Sequence, residues 1–301
     1  MTIAVLGATG FIGRNIIEQL SQQDEPVRAL YRKSSKNIET LKSYKNVELV
    51  EGDILDLASL KRLLEGADKL IHAAAVTANI KNTNNIYERV HVQGTQNVVR
   101  AAKEAGVKRI VLVSGLGTQP DKPGSYMQTR WEMEEAIRNS GIDWTIIQPS
   151  ILFGKGSEFF EAQAKIIKMA LVVAPVIGNG KTRFQPIYVR DVARAVIEAL
   201  NSPDKIKRTV AIGGPEYFSY KELTNLMVRT LGLKRVKVYL PLPIARVQAQ
   251  VFNLLPKPPL TPATLELFNF DNVTPDPQVV EHEFGFKPMD LKSYLEKHGI
   301  G

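Results

Sequence analysis

The sequence predicts an α/β fold, a doubly wound parallel sheet accompanied by a smaller C-terminal lobe. Three observations carry that expectation. Short Val- and Ile-rich runs alternate with longer helical stretches through the first half of the chain. Several of the runs, 3–6 and 110–113 among them, are apolar without alternation, as strands covered on both faces are. A glycine-rich turn follows the first run directly and leads into a helical pattern, which is how βαβ units begin.

Taken in order, 2–6, 27–31, 47–51, 69–73, 109–114 and 143–148 read as buried parallel strands. Helical periodicity fills 11–20, 57–64, 86–105 and 125–139 between them. After Pro149 the alternation changes, with an apolar helix near 158–171, a Gly- and Lys-containing turn at 178–181 and a helix near 191–200. Beyond Gly213 the chain is less regular and richer in proline. Ser219 with Glu222 forms a capping box for a helix to about Leu231, and Thr261 followed by Pro262 starts another. Residues 1–153 therefore form one domain, with segments near 184–213 returning to it, and 154–301 form the smaller lobe. That lobe is expected to close over the carboxyl edge of the sheet, where open α/β sheets take ligands.

Composition narrows the function. The 301 residues are 44% hydrophobic and 23% charged, the balance of an ordinary globular enzyme. A net charge of +8 comes from 39 Lys and Arg against 31 Asp and Glu. The cations are scattered, with no basic and aromatic stripe, so a solvated surface is expected rather than nucleic-acid binding. There is no cysteine, which removes disulfides and thiolate chemistry. His72, His91, His282 and His298 lack metal-ligand spacing, so no metal site is expected. No run reaches the roughly 18 apolar residues of a membrane span. No signal peptide opens the chain, and cytoplasmic residence is the expectation.

The turn after the first strand is Gly7-Ala8-Thr9-Gly10-Phe11-Ile12-Gly13, and Arg14 continues the helix. Glycines let the backbone turn tightly and approach a pyrophosphate, while the unpaired N–H groups and dipole of the helix N-terminus attract it. Strand, glycine triplet and helix in this order predict a nicotinamide dinucleotide site in a Rossmann-type domain. At the end of the second strand an NAD site usually carries an acid for the ribose hydroxyl. Here that place holds Tyr31, Arg32 and Lys33. Arg32, with Lys33 or Arg14, suits a 2′-phosphate, so NADP(H) is favoured and NAD(H) remains possible.

These motifs, with Gly52-Asp53, Ala73-Ala74-Ala75, Gly94-Thr95-Gln96-Asn97, Pro149-Ser150 and Val189-Arg190-Asp191-Val192-Ala193, resemble extended and atypical short-chain dehydrogenases/reductases. Within that superfamily the chain resembles the branch holding the NADPH-binding accessory subunit of respiratory complex I and NAD-dependent epimerase/dehydratase-like proteins. The resemblance implies that Asp53 and Ile54 contact adenine, that Ala73, Ala74 and Ala75 line the cofactor cleft, and that Pro149 and Ile151 flank the nicotinamide. Asp53 reads equally well as a loop carboxylate or helix cap.

The resemblance also implies a Tyr and a Lys four positions apart on one helix face, with a Ser at the end of the preceding strand. A cation beside the phenol stabilises phenolate, and the Tyr then acts as general acid or base. This sequence has Tyr126 and Ser114 but Arg130 in place of Lys. Arg supplies field and hydrogen bonds yet does not release a proton near neutral pH. Gly115, Leu116 and Gly117 follow Ser114 where many relatives carry further hydroxyls, and Gln148 stands where extended enzymes often carry Arg. Ser125 with Gln128 reads as a capping box. The sequence leaves two functions open: an oxidoreductase acting on a small apolar carbonyl or quinone-like molecule, and a catalytically weak NADPH-binding accessory or assembly protein of a membrane-associated redox complex.

Ile244, Val247, Val251, Leu254 and Leu255 recur at helical spacing, with Arg246 the one formal charge between Pro243 and Pro256. Such a stripe reads first as core. Its Pro-rich exit and Lys257 give the alternative of a peripheral membrane or protein-complex contact through 243–260. The apolar stretch 166–177 suits a wall for a quinone- or isoprenoid-like substrate.

Overall fold

The computed structural model describes residues 1–23, 25–35, 37–256 and 258–300. The chain runs β1 (Thr2–Leu6), α1 (Phe11–Ser21), β2 (Val27–Tyr31), α2 (Ile38–Lys42), β3 (Val47–Glu51), α3 (Leu57–Leu64) and β4 (Ala67–His72). A π-helical stretch, Glu88–Gly94, passes into α4 (Thr95–Ala105), followed by β5 (Arg109–Val113), α5 (Tyr126–Arg138) and β6 (Asp143–Pro149). Then come β7 (Leu152–Phe153), α6 (Glu158–Met169), β8 (Val173–Ile177), β9 (Arg183–Phe184), β10 (Ile187–Tyr188), α7 (Val189–Asn201) and β11 (Arg208–Ile212). The last elements are β12 (Phe218–Ser219), α8 (Tyr220–Thr230), β13 (Val236–Leu240), α9 (Leu242–Phe252), α10 (Pro262–Glu266), α11 (Val279–Phe284) and α12 (Leu291–His298).

Two compact units divide the chain. The first holds Met1–Val76, Thr83–Gln148 and Val189–Val210. Its strands belong to a seven-stranded sheet of order β11-β6-β5-β4-β1-β2-β3, in which β3, β2, β1, β4, β5 and β6 pair in parallel. Parallel pairing places the carboxyl ends of these strands along one edge. The order reverses between β1 and β4, which makes that position the switch-point crevice of a doubly wound sheet. Burial explains the unbroken apolar runs of the central strands: all five residues of β5 are buried, and Leu60, Leu63, Leu64, Val98, Ala101 and Ala102 cover the sheet from α3 and α4, whereas β3, expected to be buried, is an edge strand with no buried residue.

Several boundaries differ from the sequence expectation. The fourth strand is Ala67–His72, shifted from 69–73. The helix expected over 86–105 has a first part of π type, which places His91, Val92 and Gly94 inside the unit. Gly94 packs on Ile54, whose side chain would lie 3.0 Å from an added Cβ.

The second unit holds Thr77–Asn82, Pro149–Tyr188 and Ala211–Gly301. Three two-stranded sheets, β10-β7, β12-β9 and β13-β8, surround a core with Phe153, Phe160, Phe184, Tyr220, Phe268 and Leu295. Gln185, fully buried, ties its loops together by donating to Gly214 O at 2.7 Å and accepting from Thr274 N at 2.7 Å. Ser219 and Glu222 form the expected capping box on α8, and Thr261 caps α10.

The apolar stripe of α9 is not core. Ala245 and Ala249 face inward, whereas Ile244, Val247, Val251, Leu254 and Leu255 are exposed. Helical periodicity identifies a face without saying which way it points. The stretch 166–177 likewise splits into the end of α6 and β8, leaving Met169, Leu171 and Val172 exposed. Lys257 lies outside the described residues. Among the described residues, no helix is long and apolar enough to cross a membrane, and no group of His, Asp and Glu is placed to hold a metal.

Candidate active site

The glycine turn is built by contacts that exclude side chains. Gly7 has φ +77°, and a Cβ there would lie 2.5 Å from Ala73 O and 2.7 Å from Ala74 N. A Cβ on Gly13 would overlap the Gly7 carbonyl oxygen. Thus β1, the first turn of α1 and the chain leaving β4 meet backbone to backbone at the switch point. Gly10 plays another part. It is exposed, and its Cβ would stand 3.1 Å from Gly7 O, a tight contact that needs only a small adjustment. No side chain caps α1 at Gly10, and its first turn has no acid. The N–H groups of Phe11, Ile12 and Gly13 precede the first α-helical bond, from Arg14 N to Gly10 O. This is the donor set a pyrophosphate requires, so the residues present fit a dinucleotide.

Neighbouring loops are tied to this turn. Thr9 Oγ1 donates to Ser35 Oγ at 3.2 Å, and Asn37 Nδ2 donates to Thr9 O at 3.0 Å. Between those anchors and β2 lie Arg32 and Lys33, both exposed, and neither makes an ion pair or hydrogen bond through its side chain among the described residues. The Arg14 guanidinium lies 5.4 Å from the Phe11 ring centre. A carboxylate overlooked in the sequence stands nearby: Glu51, opposite Tyr31 in the sheet, accepts from the Tyr31 hydroxyl at 3.3 Å. Asp53 turns its own loop, accepting from Leu55 N at 2.9 Å, while Asp56 caps α3. Ala73 and Ala74 are half-buried and Ala75 exposed. Pro149 and Ile151 belong to the second unit, where Ile151 O accepts from Ile187 N at 2.9 Å.

The structure brings Ser114, Tyr126 and Arg130 together, all buried. Arg130 Nη1 donates to the Tyr126 hydroxyl oxygen at 3.1 Å, and Nη2 reaches Ser114 Oγ at 3.4 Å. Its Nε has no partner, and no carboxylate pairs with this guanidinium among the described residues. Gly115 provides its seat, since a Cβ there would come within 3.2 Å of Nη2. Thr118, next after the Gly-Leu-Gly run, places its hydroxyl 3.4 Å from Ser114 Oγ. The arrangement holds a phenol, a hydroxyl and a fixed positive charge at one point, which suits stabilising a phenolate.

Behind Tyr126 is a residue that sequence reasoning passed over. His91 stacks with Tyr87 at 5.9 Å, and both rings meet Tyr126 edge-on, at 5.8 and 5.3 Å. Thr129 Oγ1 donates to Tyr126 O at 3.0 Å and lies 3.0 Å from His91 Nδ1, while His91 Nε2 lies 3.0 Å from Val76 N and 3.1 Å from Val76 O. Either tautomer of a neutral imidazole satisfies these contacts. Burial, then the Arg130 charge, pushes the His91 pKa down to about 3, in agreement. His91 consequently positions Tyr126 without titrating beside it at neutral pH. Gln148 donates to both oxygens of fully buried Glu134, at 2.9 and 3.1 Å, pinning α5 to β6, and Arg138 one turn along α5 pairs with the same carboxylate. Ser125 caps α5 as expected, but Gln128 does not close the box: its side chain bonds Asp121 N and Glu132 instead.

A glycine-lined helix N-terminus at a parallel-sheet switch point, with a Tyr and a cation one turn apart, defines an NAD(P)-binding, oxidoreductase-like protein of the Rossmann class. The chain belongs to the NAD(P)H-binding family, whose model matches residues 7–203. It is 28% identical over 296 residues, 95% of this chain and 73% of the relative, to NADH dehydrogenase [ubiquinone] 1 alpha subcomplex subunit 9, mitochondrial, of Arabidopsis thaliana. It is 29% identical over 230 residues to the NAD(P)H azoreductase of Xenophilus azovorans, covering 76% of this chain and 74% of that protein. A nucleoside-diphosphate-sugar epimerase from Staphylococcus aureus shares the fold, with a TM-score of 0.78, 19% identity and coverage of 98% and 100% of the two chains.

The second and third glycines of the turn should separate in mutants. Gly13→Val should lose the native melt, because its side chain meets backbone that cannot yield. Gly10→Val should melt as wild type yet bind NADPH at least about tenfold more weakly by calorimetry, roughly 1.4 kcal/mol. A folded Gly10→Val protein with unaltered affinity would remove the phosphate loop from this turn.

Proposed function

We propose that the protein is an NADP(H)-dependent oxidoreductase acting on a small apolar carbonyl or quinone-like acceptor, with Tyr126 as its proton donor. The observation that carries this reading is the junction of Tyr126, Arg130 and Ser114 in the unit that also holds the glycine turn. In this reading Gly7, Thr9, Gly10, Phe11, Ile12 and Gly13 hold the pyrophosphate, and Arg32, Lys33 and Arg14 hold the 2′-phosphate. Asp53 and Ile54 meet adenine, Ala73 to Ala75 line the cleft, and Pro149 and Ile151 flank the nicotinamide. When bound, the dihydronicotinamide supplies a hydride to the acceptor. Tyr126 gives its proton to the acceptor oxygen, Ser114 orients that oxygen, and Arg130 stabilises the phenolate left on Tyr126. The relative named as an azoreductase supports a reductase reading.

One observation favours a second reading. Arg130 cannot release a proton near neutral pH, so it cannot reprotonate Tyr126 as a lysine could. A cofactor-holding accessory protein with little turnover would tolerate that substitution, and the relative named as a complex I subunit suits it.

Steady-state reduction of quinones and aldehydes by wild type, Tyr126→Phe and Arg130→Lys separates the two. The oxidoreductase reading expects Tyr126→Phe to keep cofactor affinity and lose turnover by about a hundredfold or more, with Arg130→Lys equal to or faster than wild type. Wild type inactive and Arg130→Lys active would establish the accessory reading. Full activity in Tyr126→Phe would contradict the role of Tyr126.

Cofactor choice has its own check. Arg32→Ala should weaken NADPH by about 1.5–3 kcal/mol and leave NADH nearly unaffected in parallel calorimetric titrations. Equal losses for the two dinucleotides would take the 2′-phosphate away from Arg32.

A further inference from the structure

We propose that the second unit carries a surface that binds an anionic phospholipid bilayer, built from the end of α6, the outer face of β13 and the outer face of α9. This goes beyond the dinucleotide chemistry and needs no turnover at Tyr126.

Fourteen large apolar side chains are exposed among the described residues, and eleven of them lie in two stretches of this unit, 162–188 and 223–265. They form three groups: Met169, Leu171 and Val172 at the end of α6; Val236, Val238 and Tyr239 on β13; and Ile244, Val247, Val251, Leu254 and Leu255 on and after α9. Val236 N donates to Val172 O at 2.9 Å, which joins the first two groups at the start of the β8-β13 pair. The third follows β13 directly through Pro241. On α9 the usual amphipathic order is reversed. Its inward side offers the small residues Ala245 and Ala249, while the larger Ile244, Val247 and Val251 stand 50%, 60% and 58% exposed. A face of this kind in water calls for a covering phase.

Charge identifies that phase. The same two stretches contain ten Lys and Arg, namely Lys165, Lys168, Lys181 and Arg183 in one and Arg229, Lys234, Arg235, Lys237, Arg246 and Lys257 in the other, and not one Asp or Glu. Glu161, Glu222 and Glu266 stand just outside the two stretches and Asp271 pairs with Arg183, so it is an excess of cations, not an absence of acids from the surface, that accompanies these apolar side chains. Apolar side chains inserted among acyl chains, with Lys and Arg at headgroup level, are the two attractions that hold a peripheral protein on an anionic membrane. A protein partner would suit the apolar face but does not account for the excess of cations. A second copy would bring the same cations against themselves.

The test is flotation of the full chain with vesicles of phosphatidylcholine alone and of phosphatidylcholine with about one third phosphatidylglycerol. Wild type should float with the anionic vesicles, stay behind with the neutral ones and be released by about 0.5 M salt, since screening weakens the headgroup term. Val247→Asp with Val251→Asp should lower anionic partitioning at least about tenfold, and each of Lys168→Gln and Lys237→Gln about fivefold. These side chains lie on the surface, and an unchanged thermal melt with unchanged NADPH affinity would show that the variants fold. Equal flotation of wild type and the double Asp variant would overturn the proposal. So would absence of wild-type flotation, whether the protein is then a monomer or a dimer that Val247→Asp with Val251→Asp dissociates.

Discussion

The first unit depends on a place where no side chain fits. Gly13 meets the Gly7 carbonyl, and Gly7 meets the backbone of Ala73 and Ala74. This contact lets the start of α1 sit directly on β1 and on the chain leaving β4, at the one position where the strand order reverses. With that contact in place, the uncapped N-terminus of α1 stays available to an anion, and the loops after β2, β3, β4 and β5 arrive along the same edge of the sheet. A single added methyl group would separate these elements, because the neighbour it meets is backbone and cannot change rotamer.

The chemistry of the site rests on a second constraint, a buried positive charge. Among the described residues the Arg130 guanidinium has no carboxylate beside it. Burying such a charge is costly unless other groups compensate. Here the compensation comes from the Tyr126 and Ser114 oxygens, and neutral His91 adds no like charge beside it. Burial and the Arg130 charge hold His91 near pKa 3, and burial alone holds His72 near 4. Gly115 supplies the room for a guanidinium that a side chain would narrow. The nearest buried acid on α5, Glu134, turns instead to Gln148 and Arg138.

Much of the first unit was legible in the sequence because its signals are local. Strands covered on both faces show as unbroken apolar runs, and the glycine triplet announces both a turn and a helix start. Tyr126, Arg130 and Ser114 were found from spacing and resemblance. What escaped was decided by partners distant in sequence. His91 carries no motif, and only the fold brings it to Thr129 and Tyr126. The two-residue strands β7, β9, β10 and β12 are too short to show a period. Gln128 has the spacing of a capping box, yet Glu132 one turn away offers its side chain a charged partner at 2.7 Å. The stripe on α9 was recognised and misdirected, since Ala245 and Ala249 take the inward side and leave the larger residues to the solvent.

The central claim is that the first turn of α1 receives the cofactor pyrophosphate on its backbone N–H groups. Hydrogen exchange of the full chain with and without NADPH measures those groups directly. Binding should slow exchange at the amides of 8–15 more than in α3 or α8, which share the helical geometry but not the glycine turn. Tight NADPH binding that leaves the amides of 8–15 exchanging at their unliganded rate would contradict it.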